Sequence, residues 1–584
     1  MAGKTYRIDV TARHSQRNEA GSYKVWLATG TTNGSFVSPA VAVEGDVKGW
    51  FYHKRSYFYT PTASKTYRVA VQATSPASCE YFYLTEVAIS ECDGALPGAP
   101  TSVSVTPDPS GVKSATVSVT APSVTVSGTS LPTPMSSLDV YWGDKLMSSI
   151  PSPQAGQKYT TTFDVGQPRP YILTLSATDA GGRRGATALA DVTIGQSLPQ
   201  WSVIYGIQGA GMRHKYRAVY NPAEGVKLYL DSTLMTADNK GYTITRMPDG
   251  VKIASGSSTA DVADTNFPAS SRLSYYYNVA FTDKSGEAQN YNSTVISLGN
   301  KAPFYADFSD RSVSSDNTYA EFTFDDAGLD GNCFVANQNG YLSAYNRNDW
   351  LISPGVKLEA GKQYRFNAGL GSSSSASAGA EVWLGKTNVV DGLTTAVMPL
   401  TQVRSTSKEA HQYNSYFTVD ADGTYFFGLH VINHEADNTY QSLLVYNLGV
   451  EEVGEDLPGA CTDLVVSFTS ATDGTLSFAA SPKNVSGKQQ QSLTEIVVEC
   501  DGAKVAAIAN PVPGEKYSLP IKVENGKSYT YKVTPYNENG EGVSAELVVG
   551  LITPPYENNF TEATSLDGFT VLDKHNDGFT WHIY

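Results

Sequence analysis

Apolar and polar residues alternate along many short segments of this 584-residue chain. Clear examples are 101–106, 115–120, 171–178, 274–282 and 529–536, and turn-forming residues lie near their ends. A period of two over such lengths predicts β-strands with one buried face. No long segment has the period of an amphipathic helix, so the pattern predicts an all-β protein.

Three of the predicted strands run into the same kind of turn, in which a Tyr precedes an Asp or Asn by eight positions and a Gly by eleven. The sets are Tyr171, Asp179 and Gly182; Tyr275, Asp283 and Gly286; and Tyr529, Asn537 and Gly540. Such an Asp or Asn can bind the turn backbone, and Gly permits a positive φ. These segments, the first and last opened by Leu-Pro-Gly-Ala at 96–99 and 457–460, resemble fibronectin type III domains. The resemblance implies sandwiches of about seven strands, used mostly as spacers or binding modules.

A second module type also recurs. The tripeptide Ala-Gly-Lys occurs at 2–4 and again at 360–362, and Val-Trp-Leu occurs at 25–27 and again at 382–384. The stretch Asp-Trp-Leu-Ile-Ser-Pro at 349–354 resembles the choice-of-anchor J and cleaved-adhesin jelly rolls of secreted and surface proteins from gut and oral bacteria, including the haemagglutinin regions of gingipain-type proteases. That resemblance implies a two-sheet antiparallel sandwich.

Together the repeats predict a tandem array of antiparallel β-sandwiches. The expected order is a partial jelly roll at 1–95, fibronectin-like modules at 97–196 and 198–299, a complete jelly roll at 303–455, a fibronectin-like module at 457–552, and the start of a truncated jelly roll at 555–584. The two incomplete ends lead us to expect that the chain is a fragment of a longer protein.

The composition of the chain limits the kinds of molecule that it can bind. The net charge is −15 with a pI near 5.0, and no stripe of Lys and Arg is present, which argues against nucleic acid. No apolar run is long enough to span a membrane as a helix. The five cysteines include Cys79 and Cys92, which a predicted strand at 81–90 would hold too far apart for a disulfide.

A candidate calcium motif occurs twice, as Phe-Thr-x-x-Asp-x-x-x-Asp-Gly at 322–331 and 569–578. Carboxylate and amide oxygens on a flexible loop suit a hard cation. The ligands would be Asp326 and Asp330 in the first copy, and Asp573, Asn576 and Asp577 in the second. The resemblance to cleaved-adhesin jelly rolls also implies structural calcium. The alternative is an ordinary Asp/Gly turn.

Aromatic residues are the candidate sugar platforms, because exposed rings stack on pyranose faces. The candidates are Trp50, Tyr52, Trp350, Tyr413 and Tyr416. The alternative is that these rings belong to sandwich cores, where aromatic residues are common.

His430 and His434 stand four positions apart, beside Glu435, which is a spacing found in helical zinc sites. Their context predicts a strand, on which residues four apart are roughly 13 Å distant. Surface histidines are therefore favoured over a metal site.

The function predicted from these features is non-catalytic. No Gly-x-Ser-x-Gly elbow, P-loop or His-Glu-x-x-His motif is present. We expect part of a secreted or cell-surface bacterial adhesin, whose jelly rolls bind glycans or host glycoproteins while fibronectin-like modules act as spacers. The alternatives are an accessory region of a secreted protease or glycoside hydrolase whose catalytic domain lies elsewhere, and a purely structural stalk.

Overall fold

The computed structural model describes most of the chain. The described residues are 1–14, 21–37, 42–47, 53–74, 82–131, 134–143, 145–199, 216–230, 241–256, 261–282, 286–308, 319–326, 334–337, 341–344, 348–373, 378–403, 410–432, 442–470, 472–524 and 527–550. They contain β-strands and two short 3-10 turns, at Asn33–Ser35 and Val390–Gly392. None of their helical segments is long and apolar enough to cross a membrane. The all-β prediction is confirmed, and the strands group into five sandwich units.

Unit 1 packs two three-stranded antiparallel sheets on each other, in the orders β4-β1-β6 and β3-β2-β5. Its strands are β1 (Thr5–His14), β2 (Gly21–Ala28), β3 (Ala42–Val47), β4 (His53–Tyr59), β5 (Arg68–Thr74) and β6 (Phe82–Cys92). Ile8, Val10, Tyr23 and Val25 form its core. Cys92 carries a free thiol, while Cys79 lies outside the described residues.

Unit 2 has a three-stranded sheet, β11-β8-β7, and a four-stranded sheet, β10-β9-β12-β13. Its strands are β7 (Thr101–Pro107), β8 (Ser114–Thr120), β9 (Met135–Trp142), β10 (Lys145–Pro151), β11 (Lys158–Asp164), β12 (Arg169–Asp179) and β13 (Arg184–Ile194). Alternate residues of β8 and β12 are buried, because each strand has one face on the core.

Unit 3 has the sheets β14-β15-β18 and β17-β16-β19-β20, with β21 beside β19. Its strands are β14 (Tyr216–Asn221), β15 (Gly225–Leu230), β16 (Tyr242–Met247), β17 (Val251–Gly256), β18 (Val262–Asp264), β19 (Ser274–Thr282), β20 (Ala288–Asn292) and β21 (Ile296–Ser297).

Unit 4 is the largest, with a seven-stranded and a six-stranded sheet. The first contains β22, β24, β27, β28, β30, β31 and β33; the second contains β23, β25, β26, β29, β32 and β34. The strands are β22 (Asn300–Lys301), β23 (Phe304–Asp307), β24 (Thr323–Asp326), β25 (Phe334–Asn337), β26 (Tyr341–Ala344), β27 (Asp349–Ile352), β28 (Val356–Leu358), β29 (Gln363–Ser372), β30 (Ala378–Gly385), β31 (Leu393–Val403), β32 (His411–Phe417), β33 (Gly423–Ile432) and β34 (Leu443–Val453).

Unit 5 has the sheets β35-β36-β39 and β38-β37-β40-β41, with β42 beside β40. Its strands are β35 (Thr462–Phe468), β36 (Asp473–Ala479), β37 (Glu495–Cys500), β38 (Ala503–Ala509), β39 (Lys516–Lys522), β40 (Ser528–Asn537), β41 (Gly540–Glu541) and β42 (Ala545–Gly550).

The predicted strand-to-turn signature has the expected chemistry. Asp179 accepts hydrogen bonds from the backbone N–H groups of Gly181 and Arg183, both at 2.9 Å. Gly182 has φ +76°, which a residue without Cβ adopts at little cost. The Tyr171 hydroxyl donates to the Gln167 carbonyl at 2.7 Å. The tyrosine thus fixes the start of the strand and the Asp–Gly pair fixes its end.

Units 2, 3 and 4 meet at a buried ion pair. Lys113 of unit 2 lies 2.6 Å from Glu321 of unit 4, and their side chains are only 7% and 2% exposed. From unit 3, Ser297 accepts a hydrogen bond from the Lys113 ammonium at 3.3 Å, and the Ser274 hydroxyl donates to the Glu321 carboxylate. Four side chains from three units therefore satisfy one another away from water.

Unit 3 and unit 4 also share a hydrophobic core. Trp350, Ile352, Leu393 and Phe426 of unit 4 cluster with the interior apolar residues of unit 3. Beside this cluster the buried Asn388 of unit 4 accepts a hydrogen bond from the Tyr220 N–H at 2.8 Å and donates to the Ala218 carbonyl at 3.1 Å. The amide thus binds one backbone donor and one backbone acceptor of β14 in unit 3.

Unit 2 covers the free edge of strand β23 in unit 4. The Asp307 N–H of β23 donates to the Gln167 side chain at 3.0 Å, and Gly166 packs so tightly on the Tyr305 carbonyl that a Cβ would stand only 2.1 Å from its oxygen. Covering an edge strand in this way satisfies its backbone groups. Units 2 and 3 therefore pack onto unit 4, whereas the sequence predicted them as spacers. Unit 3 shares an apolar core with unit 4, and unit 2 forms hydrogen bonds with its edge strand.

We predict that Glu321→Gln strongly destabilises the assembled units, because it leaves the Lys113 ammonium buried without its counter-charge. Breaking a buried pair from one side costs about 3–5 kcal/mol. Urea unfolding of the full chain, followed by tryptophan fluorescence, should show an earlier transition. Lys362→Met, which removes the exposed ion pair with Glu452, is the control and should leave the midpoint nearly unchanged. Equal midpoints for both variants would contradict the role given to the buried pair.

Candidate functional site

The first predicted calcium loop is only partly within the described residues. Asp326 ends β24, and the strand register places it directly opposite Asp349 of β27. Asp349 is fully buried and lies on the same side of β27 as the core residue Leu351. Sequence reasoning missed Asp349, although its position next to the Trp-Leu-Ile strand could have suggested it. Asp330 lies outside the described residues, as do Asp573, Asn576 and Asp577, and no group of three potential metal ligands occurs among the described ones.

Trp350 is not an exposed platform, as one of the sequence hypotheses required. It is 7% exposed, and its ring stacks on His430 with centroids 4.1 Å apart and planes 7° from parallel. Its position on β27 turns it toward unit 3, while its neighbours Asp349 and Leu351 face the interior of unit 4. The alternative interpretation as a core aromatic is the one that its burial supports.

His430 is more enclosed than the surface histidine expected from the sequence. Its Nδ1 lies 2.8 Å from the Glu381 carboxylate and its Nε2 lies 2.9 Å from the Asn348 side-chain oxygen. The ring therefore has a partner on both nitrogens and on one face. His434 and Glu435 lie outside the described residues. The bound ring holds Trp350 in place at the junction of units 3 and 4.

The two tyrosines of β32 point to opposite faces of its sheet. Tyr413 packs against the core of unit 4, whereas Tyr416 lies on the outer face opposite Arg365. Residues three apart on a strand have opposite orientations, so these two rings cannot form one platform. Of the predicted sugar-binding residues, Trp50 and Tyr52 are outside the described residues, which leaves Tyr416 as the candidate on the outer face.

Tyr416 lies among residues that the sequence did not single out. Asn414 and Gln412 follow on the same face of β32, Asn367 lies on β29 and Asn447 on β34. We call Asn367, Gln412, Asn414 and Asn447 the amide face. Gln412 and Asn414 are exposed, and the other two are half-buried. The period-two pattern of β29, whose Tyr364, Phe366 and Ala368 point inward, could have placed Asn367 on this surface.

The side chains of Asn447 and Asn367 occupy the space that a Cβ atom on Gly369 or Gly449 would fill. A Cβ on Gly369 would stand 2.5 Å from the Asn447 side chain, and one on Gly449 would stand 2.7 Å from the Asn367 oxygen. The Asn447 oxygen also accepts a hydrogen bond from the Gly369 N–H at 3.1 Å. The side chains therefore lie across the sheet instead of projecting from it, which gives a low polar surface.

The amide face is flanked by an aromatic residue and two charged ones. A row of residues in register crosses the sheet from Asn414 through Asn367 and Gly449 to Tyr305 of β23, which lies at its end. In the adjacent row, which contains Tyr416, Arg365 binds Glu451 at 2.6 Å. Burial raises the pKa of Tyr416, and the hydrogen bond with Arg365 opposes that rise, so the phenol is neutral at pH 7. A neutral hydroxyl both donates and accepts hydrogen bonds, as sugar hydroxyls do.

Comparisons with known proteins give distant structural similarities. No protein-family model and no curated protein matches the chain. The K3 cleaved adhesin domain of Lys-gingipain from Porphyromonas gingivalis is 16% identical, covers 23% of this chain and 92% of that domain, and has a TM-score of 0.18. The C-terminal CBM6 of LamC, a laminarinase from Zobellia galactanivorans, is 17% identical over 19% of this chain and 78% of its own, with a TM-score of 0.15. The N-terminal cellulose-binding domain of Cellulomonas fimi β-1,4-glucanase C is 17% identical over 23% and 91%, with a TM-score of 0.16.

We predict that Trp350→Ala lowers the stability of the protein instead of removing a sugar contact. Deleting a buried tryptophan side chain costs about 3–5 kcal/mol. Denaturant unfolding of the full chain should show this loss, whereas Val505→Ala, which truncates a side chain that is 56% exposed, should change stability little. An unchanged unfolding midpoint for Trp350→Ala would show that the ring is not part of the shared core.

Proposed function

We propose that this chain is a non-catalytic glycan-binding region of a secreted or cell-surface bacterial protein of adhesin type, and that the amide face with Tyr416 binds neutral sugar residues of a glycan or host glycoprotein. The observation that supports this is the set of four carboxamides on one solvent-facing sheet surface beside a neutral tyrosine. Each carboxamide offers a donor and an acceptor, which matches the hydroxyl groups of a pyranose.

The shape of the amide face favours an extended oligosaccharide over a compact ligand. Two rows of residues in register cross the six-stranded sheet, one through Asn414 and Asn367 and the other through Gln412 and Asn447. Neighbouring strands are about 4.8 Å apart, and β32, β29 and β34 each carry an amide in one row or the other, so a glycan laid across both rows meets an amide on each of these strands. Several weak contacts of this kind add up along one chain of sugars, as in other multivalent binding.

We predict that Gln412→Ala combined with Asn414→Ala weakens glycan binding by about tenfold or more, because each lost hydrogen bond contributes about 0.5–1.5 kcal/mol. The full chain is first screened on an array of neutral and host-type glycans, and the affinity of any bound glycan is then measured by calorimetry. Asn278→Ala with Asn292→Ala removes a bonded amide pair from an exposed sheet of unit 3 and serves as the matched control.

Three results would contradict the proposal: an array without binding, equal affinity in the amide-face variant and the wild type, or release of free sugars from a bound glycan. The last would show catalysis.

We also propose that calcium is held at the end of β24 by Asp326 and Asp330, with Asp349 as a further oxygen ligand. The fit depends on Asp349, a fully buried carboxylate that the register places opposite Asp326. A fully buried carboxylate is costly in its ionised form, and a bound divalent cation offsets that cost.

We predict that chelation of calcium lowers the melting temperature of the full chain, since a cation that binds only the folded state stabilises it by about 2.7 kcal/mol at a hundred times its Kd. Asp349→Asn should make the melting temperature insensitive to calcium. The exposed Asp391→Asn, in the same unit, should keep the calcium response. A wild-type melting temperature that is the same with calcium and with chelator would contradict the proposal.

A further inference from the structure

A groove lies where units 2, 3 and 4 meet. It consists of a cavity of about 320 Å³ and an adjoining one of about 50 Å³, which share Met147, Asp164, Val165, Gly166 and Pro303 in their linings. The larger cavity is near the lower end of the size range of small-molecule sites, and one sugar residue fits within it. We call this the junction groove; Tyr305, which lines its smaller cavity, also lies at the edge of the amide face.

Basic residues surround the junction groove, although the protein as a whole carries a net charge of −15. Arg272 of unit 3 and Lys301 at the start of unit 4 both approach the Asp164 carboxylate, at 2.6 and 3.6 Å. Lys113 lines the inner wall with its charge matched by the buried Glu321. Asp164 faces both Arg272 and Lys301, and Arg272 also interacts electrostatically with Asp108, so the charges at the opening are close to balance.

Lys145 adds a cation without a matching carboxylate. Its ammonium lies 4.0 Å from the centroid of the Tyr305 ring in the smaller cavity. Among the residues that the structure describes, no carboxylate lies within 4.0 Å of it. Burial lowers the pKa of Lys145 to about 8, opposed only in part by the charge of Glu451. An anion that entered here would stabilise the charged ammonium.

Aromatic side chains lie next to Lys145 in the smaller cavity. Trp142 and Tyr305 form a wall of the smaller cavity, with ring centroids 6.2 Å apart, and Met147 joins the two cavities. A ligand with one acidic group and an apolar ring face is complementary to both features. An acidic sugar has both, since its carboxylate sits on a pyranose ring.

We propose that the junction groove binds an acidic sugar residue, with its ring in the larger cavity beside Met147 and Arg272 and its carboxylate directed into the smaller cavity toward Lys145. A long polyanion such as nucleic acid would meet the acidic remainder of the surface, which favours a short ligand. None of the four residues of the amide face lines the junction groove, so the two sites can be tested separately.

The test uses the full chain and three short oligosaccharides of the same length: oligogalacturonate, its methyl ester and a sulfated analogue. Calorimetry should show binding of the oligogalacturonate and none of the uncharged ester. Lys145→Gln should weaken that binding tenfold or more, while Lys145→Arg should largely restore it. Lys504→Gln, at an exposed ion pair of unit 5, is the matched control and should bind like the wild type.

The pH dependence gives a second readout. Protonated Lys145 binds the anion, so affinity should be constant well below pH 8 and fall as pH rises through 8, by up to about tenfold per pH unit. Lys145→Arg should lose this fall, because an arginine stays charged. The other charged or titratable groups facing Lys145 are Asp164, Arg169, Tyr171, Tyr305 and Glu451. Burial raises the pKa of Tyr171 and of Tyr305, so neither tyrosine ionises in this range.

Several outcomes would overturn the proposal: equal binding of the acid and its methyl ester, full affinity in Lys145→Gln with an unchanged melting temperature, or no binding of the acid at all. Binding of the sulfated analogue alone would also overturn it, because the site would then select sulfate. Gln412→Ala with Asn414→Ala should keep full affinity for the acidic oligosaccharide, because neither residue lines the groove, so failure of one site can be distinguished from failure of the other.

Discussion

The buried ion pair between Lys113 and Glu321 is the constraint on which the arrangement of the units depends. A charge in a protein interior is tolerated only where its partner and its remaining hydrogen bonds are in place. Here the partner comes from one unit and the serine hydroxyls come from another. Lys113 and Glu321 are therefore satisfied only when units 2, 3 and 4 are assembled in one arrangement. The shared core around Trp350 supplies apolar burial, while the ion pair supplies specificity.

This arrangement places the two candidate binding surfaces. The junction groove exists because three units converge, and its walls come from all three. The amide face belongs to unit 4 alone, but unit 2 closes one side of it by covering the edge of β23. A chain of independent spacers would give neither an enclosed groove nor a flanked sheet surface. The sandwich units thus contribute directly to the surfaces on which we propose that sugars bind.

Local patterns predicted the strands well. The predicted segment at 274–282 is the observed strand Ser274–Thr282, and the Asp179–Gly182 turn has the expected bonds, because these features depend on neighbouring residues. Contacts between units were not predictable, since Lys113 and Glu321 are 208 positions apart and neither has a local signal. Trp350 is an intermediate case. The apolar run Trp350 to Ile352 has no alternation, which is the pattern of a strand buried on both faces. Attention to strand parity would also have separated Tyr413 from Tyr416.

The central claim is that units 2, 3 and 4 form one packed body in solution. Amide hydrogen exchange of the full chain tests it most directly at two backbone N–H groups that bond across unit boundaries, Tyr220 to Asn388 and Asp307 to Gln167. If the units are assembled, both amides are protected as strongly as those of the central strands. Exchange of both at the rate of exposed loop amides, with the strand interiors still protected, would show that the units are folded but separate, and would contradict the account.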